Sequence, residues 1–388
     1  MPKSPQVDQC SEGGAVLYVA LELSARTWLL ASGVGMGQAL RRKTIPAGDR
    51  GALQRELAAA RARCGLGATA PVRSCYEAGR DGFWVHRLLT AEGVTNVVVD
   101  SSSIEVSRRA RRAKTDRLDA DGLWRLLWRY WQGERQVWHV VAVPSEAVEE
   151  ARHHEREVAT LVTEQTRWRN RVHGLLATAG VRVRVDAHFP ERLAAVRDWA
   201  GRALPAGLQA RLLVYWAQWG AIAQALVAAR RTQHAAVRAA RATEPTPGAP
   251  RSLEAQAAQL AQLRGIGEGT ALTLVKEVFS RDLQNRRQVG ALSGLVPVPY
   301  QSGTRHHEQG ISRAGLRHVR GLLVEVSWQW LRWQPASALT QWYLTRFGPA
   351  GRRPRRVGIV AVVRRLLIAL WRYHRTGELP AGAILRPV

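Results

Sequence analysis

Along residues 15–23, AVLYVALEL, apolar side chains run unbroken as far as Glu22, the pattern of a strand buried on both faces. The turn residues SAR follow, and TWLLASGV repeats the apolar run, so the two segments read as a hairpin. A helical period comes next, near 49–63, and then PVRSCYEAGRDG, a short strand ending on Glu77 at a glycine-rich turn. FWVHRLLTAEG has helical spacing, VTNVVVD reads as a further strand, and RRAKTDRLDADGLWRLLWRYW opens a helix behind a run of arginines. A hairpin followed by alternating helices and strands is the order of a ribonuclease-H-like α/β domain, which occupies residues 15–142 behind a flexible N-terminus, 1–14.

From 143 to 260 the strand signals stop. Val158, Leu161, Val162, Trp168, Val172 and Leu175 recur at helical spacing, which predicts an antiparallel helical pair or a coiled coil. PTPGAP, 245–250, reads as a linker. A mainly helical third domain, 261–388, begins with LRGIGEGTALTLVKEV, passes through GLVPVPYQSGTRHHEQGISRAG, read as a Gly-, Pro- and Ser-rich loop, and ends in Arg- and Trp-rich helix.

Composition adds the partner. Lys and Arg number 57 against 31 Asp and Glu, a formal net charge of +26 spread along the 388 residues, with 46% hydrophobic content to build a core. Such a chain expects a polyanion, and nucleic acid fits better than a membrane surface. The best apolar run, VGIVAVVRRLLIALW, is split by Arg364 and Arg365, short of the roughly 18 residues a bilayer needs. MPKSPQVDQCSEGG lacks the apolar stretch of a signal peptide. Cys10, Cys64 and Cys75 have no metal-ligand spacing and form no even set, so a reducing cytoplasm is expected.

Against this charge, Asp116, Asp119 and Asp121 fall within six residues. On a helix Asp116 and Asp119 share a face that continues into Leu123 and Leu127, while Asp121 points elsewhere. Alone, the pair reads as an N-terminal capping arrangement, Asp116 the cap and Asp119 in the first turn against the helix dipole. Singly, Glu22 reads as an edge residue paired with an arginine and Glu77 as a helix-cap acid. Together, four converging carboxylates need divalent cations to offset their repulsion, and oxygen-only ligands favour Mg²⁺ or Mn²⁺ in phosphodiester chemistry. Arg111, Arg112 and Lys114 would then hold the phosphate backbone.

LRGIGEGTALTLV has the form of a helix-hairpin-helix, in which the amides of Gly265, Gly267 and Gly269 suit a phosphate; a plain glycine turn is the simpler alternative. In the following loop Ser302 lies between Gln301 and Gly303, with Arg305, His306, His307, Ser312, Arg313 and Arg317 beyond. A serine beside bases is a candidate nucleophile toward a phosphate, Arg305 or Arg317 stabilising the added charge, although serines in such loops usually form turns. Trp124, Trp128 and Trp131 recur at helical spacing, as a core stripe or as platforms for bases. The run RRPRR, 352–356, is a phosphate-binding or solvated patch.

This combination resembles the DEDD-type insertion-sequence transposases, whose members include the bridge-RNA-guided DNA recombinases. The first acid matches Glu22 in ALELSAR, the second Glu77 in YEAGRDG, and the helix pair Asp116 and Asp119 in KTDRLDA; GIGEGTA, GLVPVPYQSG and GISRAGLRHVRGLL follow in order, over roughly residues 15–335. The resemblance implies a RuvC-like domain, a coiled coil and a transposase domain whose catalytic serine falls on Ser302, with Ser312 as alternative. It implies a phosphoserine intermediate assisted by Mg²⁺ on Glu22, Glu77, Asp116 and Asp119. As partners it implies double-stranded target and donor DNA, a structured guide RNA and a second copy of the chain, as dimer or tetramer, in the bacterial cytoplasm at the nucleoid. One departure stands out: the first acid is Glu where the family has Asp. A metal-dependent, junction-resolvase-like nuclease without a covalent intermediate, or a nonenzymatic RNA-binding protein, are the alternative functions.

Overall fold

A computed structural model describes residues 15–105, 115–243, 251–303 and 305–387, with backbone alone for 305–308. The chain divides into two compact units, Met1–Val143 and Pro144–Val388.

The first unit contains β1 (Leu17–Leu23), β2 (Thr27–Gly33), β3 (Arg41–Pro46), α1 (Arg50–Arg63), β4 (Val72–Glu77), α2 (Trp84–Ala91), β5 (Thr95–Val99) and α3 (Asp116–Trp131). The strands form one mixed sheet in the order β3-β2-β1-β4-β5. β1 pairs antiparallel with β2 and parallel with β4, and β5 lies parallel to β4. The unbroken apolar run of β1 follows from its central place. Leu17, Val19 and Leu21 share a core with Leu53 and Leu57 of α1 and Val85 and Leu89 of α2. Tyr18 and Ala20 share another with Ala120, Leu123, Trp124 and Leu127 of α3. The tryptophans of α3 therefore belong to the core: Trp124 is buried and Trp128 and Trp131 pack at its margin. β3, RRKTIP, carries no apolar alternation because it is an edge strand with only Ile45 buried, and it was missing from the predicted elements.

The second unit contains α4 (Glu146–Thr178), α5 (Phe189–Leu193), α6 (Ala206–Ala242), α7 (Leu253–Ala261), α8 (Glu268–Leu274), a π-helical continuation Val275–Phe279, α9 (Arg286–Leu292), β6 (Pro297–Ser302), β7 (Arg305–Ile311), α10 (Arg317–Trp333), α11 (Ala338–Phe347) and α12 (Arg352–Thr376). α4 and α6 are an antiparallel pair: Trp168 meets Tyr215 with ring centroids 5.5 Å apart, and farther along Gln233 donates to Glu155 at 2.8 Å. By length and composition α6 could cross a membrane, and it lies against α4. The pair joins the C-terminal helices through buried charges. Lys276 Nζ stands 3.3 Å from Glu155, and Arg156 donates to the fully buried Glu277 at 3.0 Å. Arg152 donates to the Lys276 carbonyl and the Ser280 hydroxyl, each at 3.0 Å.

The stretch read as a loop after GLVPVP is instead the β6–β7 hairpin. Five of the six β6 residues are exposed, and without a buried face there is no apolar alternation to read. The linker PTPGAP falls outside the described residues.

On α12, His374 packs against Phe279, its Nε2 2.7 Å from Gln256 Oε1. Burial, reinforced by Arg251 and Arg375, pulls its pKa from 6.5 down to about 4. The neutral ring is the folded form, so its stabilisation is complete above pH 6.5 and is lost as pH falls toward 4. The advantage of the wild type over His374→Gln, measured as urea midpoints, should therefore shrink between pH 7 and pH 5. An advantage that does not change with pH would contradict a ring held neutral.

Candidate active site and nucleic-acid interface

The four acids fall at one end of one face of the sheet. Successive strand side chains alternate between faces, so Glu22 shares the face of Tyr18 and Ala20, and Glu77 that of Cys75, the face α3 covers. Leu21 is opposite Tyr76 in the parallel pair, which makes Glu22 and Glu77 the next neighbours at the C-terminal ends of β1 and β4. Because β1 is central, Glu22 is not an edge residue, and because α2 is capped at Phe83, Glu77 is not a helix cap. α3 runs back along this face. The Arg73 guanidinium lies 4.0 Å from the Trp131 ring centroid, the Cys75 thiol meets the Leu123 carbonyl at 3.9 Å, and the Trp124 indole donates to the Tyr18 carbonyl at 3.0 Å. From Leu123, Asp119 is one turn and Asp116 two turns toward the Glu77 end. Burial pushes the Cys75 thiol pKa up, and the Glu77 carboxylate adds to the rise.

The cap of α3 is Thr115, whose hydroxyl accepts from the Leu118 amide at 3.3 Å. That corrects the capping role considered for Asp116, which is the first helical residue, exposed, with Asp119 half-buried beside it. Asp121 does point elsewhere: Arg42 donates to both its carboxylate oxygens at 2.7 Å. Among the described residues no three His, Cys, Asp or Glu side chains stand close enough to hold a metal ion. The donor set is all oxygen, the kind that suits Mg²⁺ or Mn²⁺, but its members share an end of the sheet rather than a closed ligand sphere. Arg111, Arg112 and Lys114 lie outside the described residues.

Ser302 ends β6 at the exposed tip of its hairpin, directly opposite Arg305. The side chains of Arg305, His306 and His307 lie outside the described residues. Ser312 is at the base, its amide bonded to the Val296 carbonyl at 2.9 Å. Five residue steps of strand separate the two ends, about 17 Å, so one compact site can use one serine and not both. Arg313, at φ 57, and Arg317, the exposed first residue of α10, belong to the base with Ser312. Arg317 is thus not the neighbour of Ser302.

The sequence reading missed how that base is locked. Gly294 (φ +67) and Gly315 (φ +82) lie in two crossing segments, and a Cβ would come 1.9 Å from the Ala314 carbonyl in the first case and 2.2 Å from the Leu292 carbonyl in the second. Arg320 donates to the Ser293 carbonyl at 2.9 Å. The signal available was a glycine at each flank of the future hairpin.

In the segment read as a helix-hairpin-helix, Gly265 (φ +91) is required by its backbone and its close approach to Trp333, while a Cβ at Gly267 or Gly269 would meet nothing within 4 Å. Gly265 and Gly267 border a cleft of about 500 Å³ that Arg264, Gln329, Trp333 and Arg386 also line. Glu268, the first residue of α8, pairs with His234 and Arg241.

Comparison with known proteins gives a consistent picture. The family described as "Transposase IS116/IS110/IS902 family" matches residues 257–342. The "Putative transposase y4rJ" of Sinorhizobium fredii (strain NBRC 101917 / NGR234) is 38% identical over 403 aligned residues, covering 99% of this chain and 98% of that protein. The "Putative transposase y4qE" of the same strain is 31% identical over 258, covering 66% of this chain and 57% of that protein.

The glycine lock separates two substitutions of the same kind. Gly315→Ala forces a Cβ into a carbonyl and should cost at least about 3 kcal/mol of stability. Gly303→Ala, at φ +57 in open space, should cost only about 1 kcal/mol. Thermal unfolding of the two variants decides, and equal losses would mean the base is not locked.

Proposed function

Because the chain belongs to the IS116/IS110/IS902 family of transposases, we propose that its DNA transposition proceeds through a phosphoserine intermediate on Ser302, assisted at Glu22, Glu77, Asp116 and Asp119. The observation that carries this reading is the placement of those four acids at one end of the face that α3 covers. We read the first unit as RuvC-like, from a hairpin followed by two parallel strands with α3 across one face. The antiparallel α4–α6 pair is read as the coiled coil.

The four acids would hold Mg²⁺ or Mn²⁺, whose chemistry is to neutralise charge developing on a phosphodiester and clamp its oxygens. Ser302, at an exposed tip, can reach a backbone phosphate that no concave pocket could admit. Its hydroxyl oxygen bonds to phosphorus as one ester oxygen leaves as a strand hydroxyl; the hydroxyl of the incoming strand then displaces the serine. Arg305, across the closing pair of the hairpin, is the candidate to stabilise the added charge. The acids and the serine come from different units of the chain. With a net charge of +26, the chain has cationic surface for a structured guide RNA as well as for target and donor DNA.

Asp119→Asn should leave the fold intact, since repulsion among the acids is relieved, yet bring Mg²⁺-dependent strand cleavage to background. The same variant should lose most of the rise in melting temperature that millimolar Mg²⁺ gives the wild type in the presence of DNA. Undiminished cleavage would remove the acids from the mechanism.

Ser302→Ala takes away one exposed hydroxyl, so folding and DNA affinity should persist while recombination disappears. Wild type trapped on nicked DNA should migrate on a denaturing gel as a protein–DNA adduct, and the alanine variant should not. An adduct that survives in Ser302→Ala would move the nucleophile to Ser312. Cutting by the wild type without any adduct would make the chain a metal-dependent nuclease.

A further inference from the structure

In the second unit, α11, α12 and the segment 378–381 enclose a cleft of about 610 Å³. Much of its lining lies past residue 342, where the family match ends. Its floor is apolar, with the fully buried Trp330 beneath half-buried Leu339 and Ile368 and the small Ala369. One wall is a cation–π pair, the Arg365 guanidinium lying 3.8 Å from the Trp342 ring centroid. Arg372 follows Arg365 two turns along α12, on the same side of the helix, and Arg286 adds a third exposed guanidinium to the lining. Among the described residues Glu378 is the one carboxylate that lines it.

We propose that this cleft holds one unstacked nucleotide of a single-stranded segment of nucleic acid. The inference rests on the reading of the chain as a protein that handles nucleic acid. A guanidinium held against an indole presents a planar, delocalised cation, and a base stacks on such a plane without needing a particular sequence. The apolar floor takes the base, Arg286 and Arg372 take the flanking phosphates, and Glu378 accepts from an exocyclic amino group. The volume falls within the usual range for small-ligand sites, enough for one nucleotide. A base inside an intact duplex is stacked on both sides and cannot enter. The cleft therefore distinguishes single strands from duplex, which a phosphate patch such as the exposed arginines at 352, 353, 355 and 356 cannot do.

The test uses the full chain and two end-labelled probes read by fluorescence anisotropy: an oligodeoxycytidine of roughly a dozen nucleotides, and a duplex of the same length. Ala369→Phe fills the floor without changing charge, and should weaken single-strand binding about tenfold while leaving duplex binding unchanged. Arg365→Ala, which removes the plane and leaves the floor open, should do the same and serves if the larger side chain disturbs folding, as judged by circular dichroism and melting temperature. Arg353→Ala, outside the cleft, should weaken both probes alike. Folded Ala369→Phe and Arg365→Ala variants that bind the single strand like wild type, or that lose both probes equally, overturn the proposal. A wild-type chain that binds neither probe overturns the nucleic-acid reading itself, and the proposal with it.

Discussion

The first unit depends on covering β1 from both sides. A central strand with apolar side chains on both faces cannot leave either to water, so α1 and α2 must take one face and α3 the other. The contacts that complete the second cover also set where α3 stops along the strand: the indole of Trp124 on the Tyr18 carbonyl, and Leu123 against Cys75. Burial thereby fixes the position of Asp116 and Asp119 relative to Glu22 and Glu77. The acids inherit their placement from the core and need no attraction of their own.

That coupling explains what could be read beforehand. β1, β2, β4 and β5 were visible because buried strands leave an apolar signature, and Glu22 and Glu77 were visible as the polar exceptions at the ends of β1 and β4. β3 and β6 were invisible because most of their side chains face water, and solvent imposes no pattern. The cap was misjudged for a different reason: Thr115 and Asp116 both suit that role, and only the backbone at Thr115, extended at φ −142, shows which one holds it. The distance between Ser302 and Ser312 could not be read either. It depends on a hairpin register that the sequence, with its prolines and bulge near 297–299, does not display.

The second unit is held together differently. Lys276 and Glu277 are adjacent in sequence and both buried, an arrangement that costs stability unless each finds a partner. They sit in the π-helical segment, where the widened turn changes which residues face which neighbour. Lys276 meets Glu155 on α4 and Glu254 on α7, while Glu277 meets Arg156 on α4 and His318 on α10. Apolar packing alone would let the long α4–α6 pair slide along the core. Buried charges that must each meet a partner on α4 give it a single register.

The hairpin that carries Ser302 is anchored at its base and open at its tip, and this makes its length a ruler. Adding one residue to each strand would leave the crossing glycines and Arg320 untouched while moving the serine outward by about 3.4 Å and turning it to the opposite face. Two per strand would restore the face and carry it out by about 7 Å. Reach and facing thus come from counting rungs, so a change of hairpin length alone resets how far the serine stands from its anchored base and which way it faces, leaving the fold beneath it unaltered.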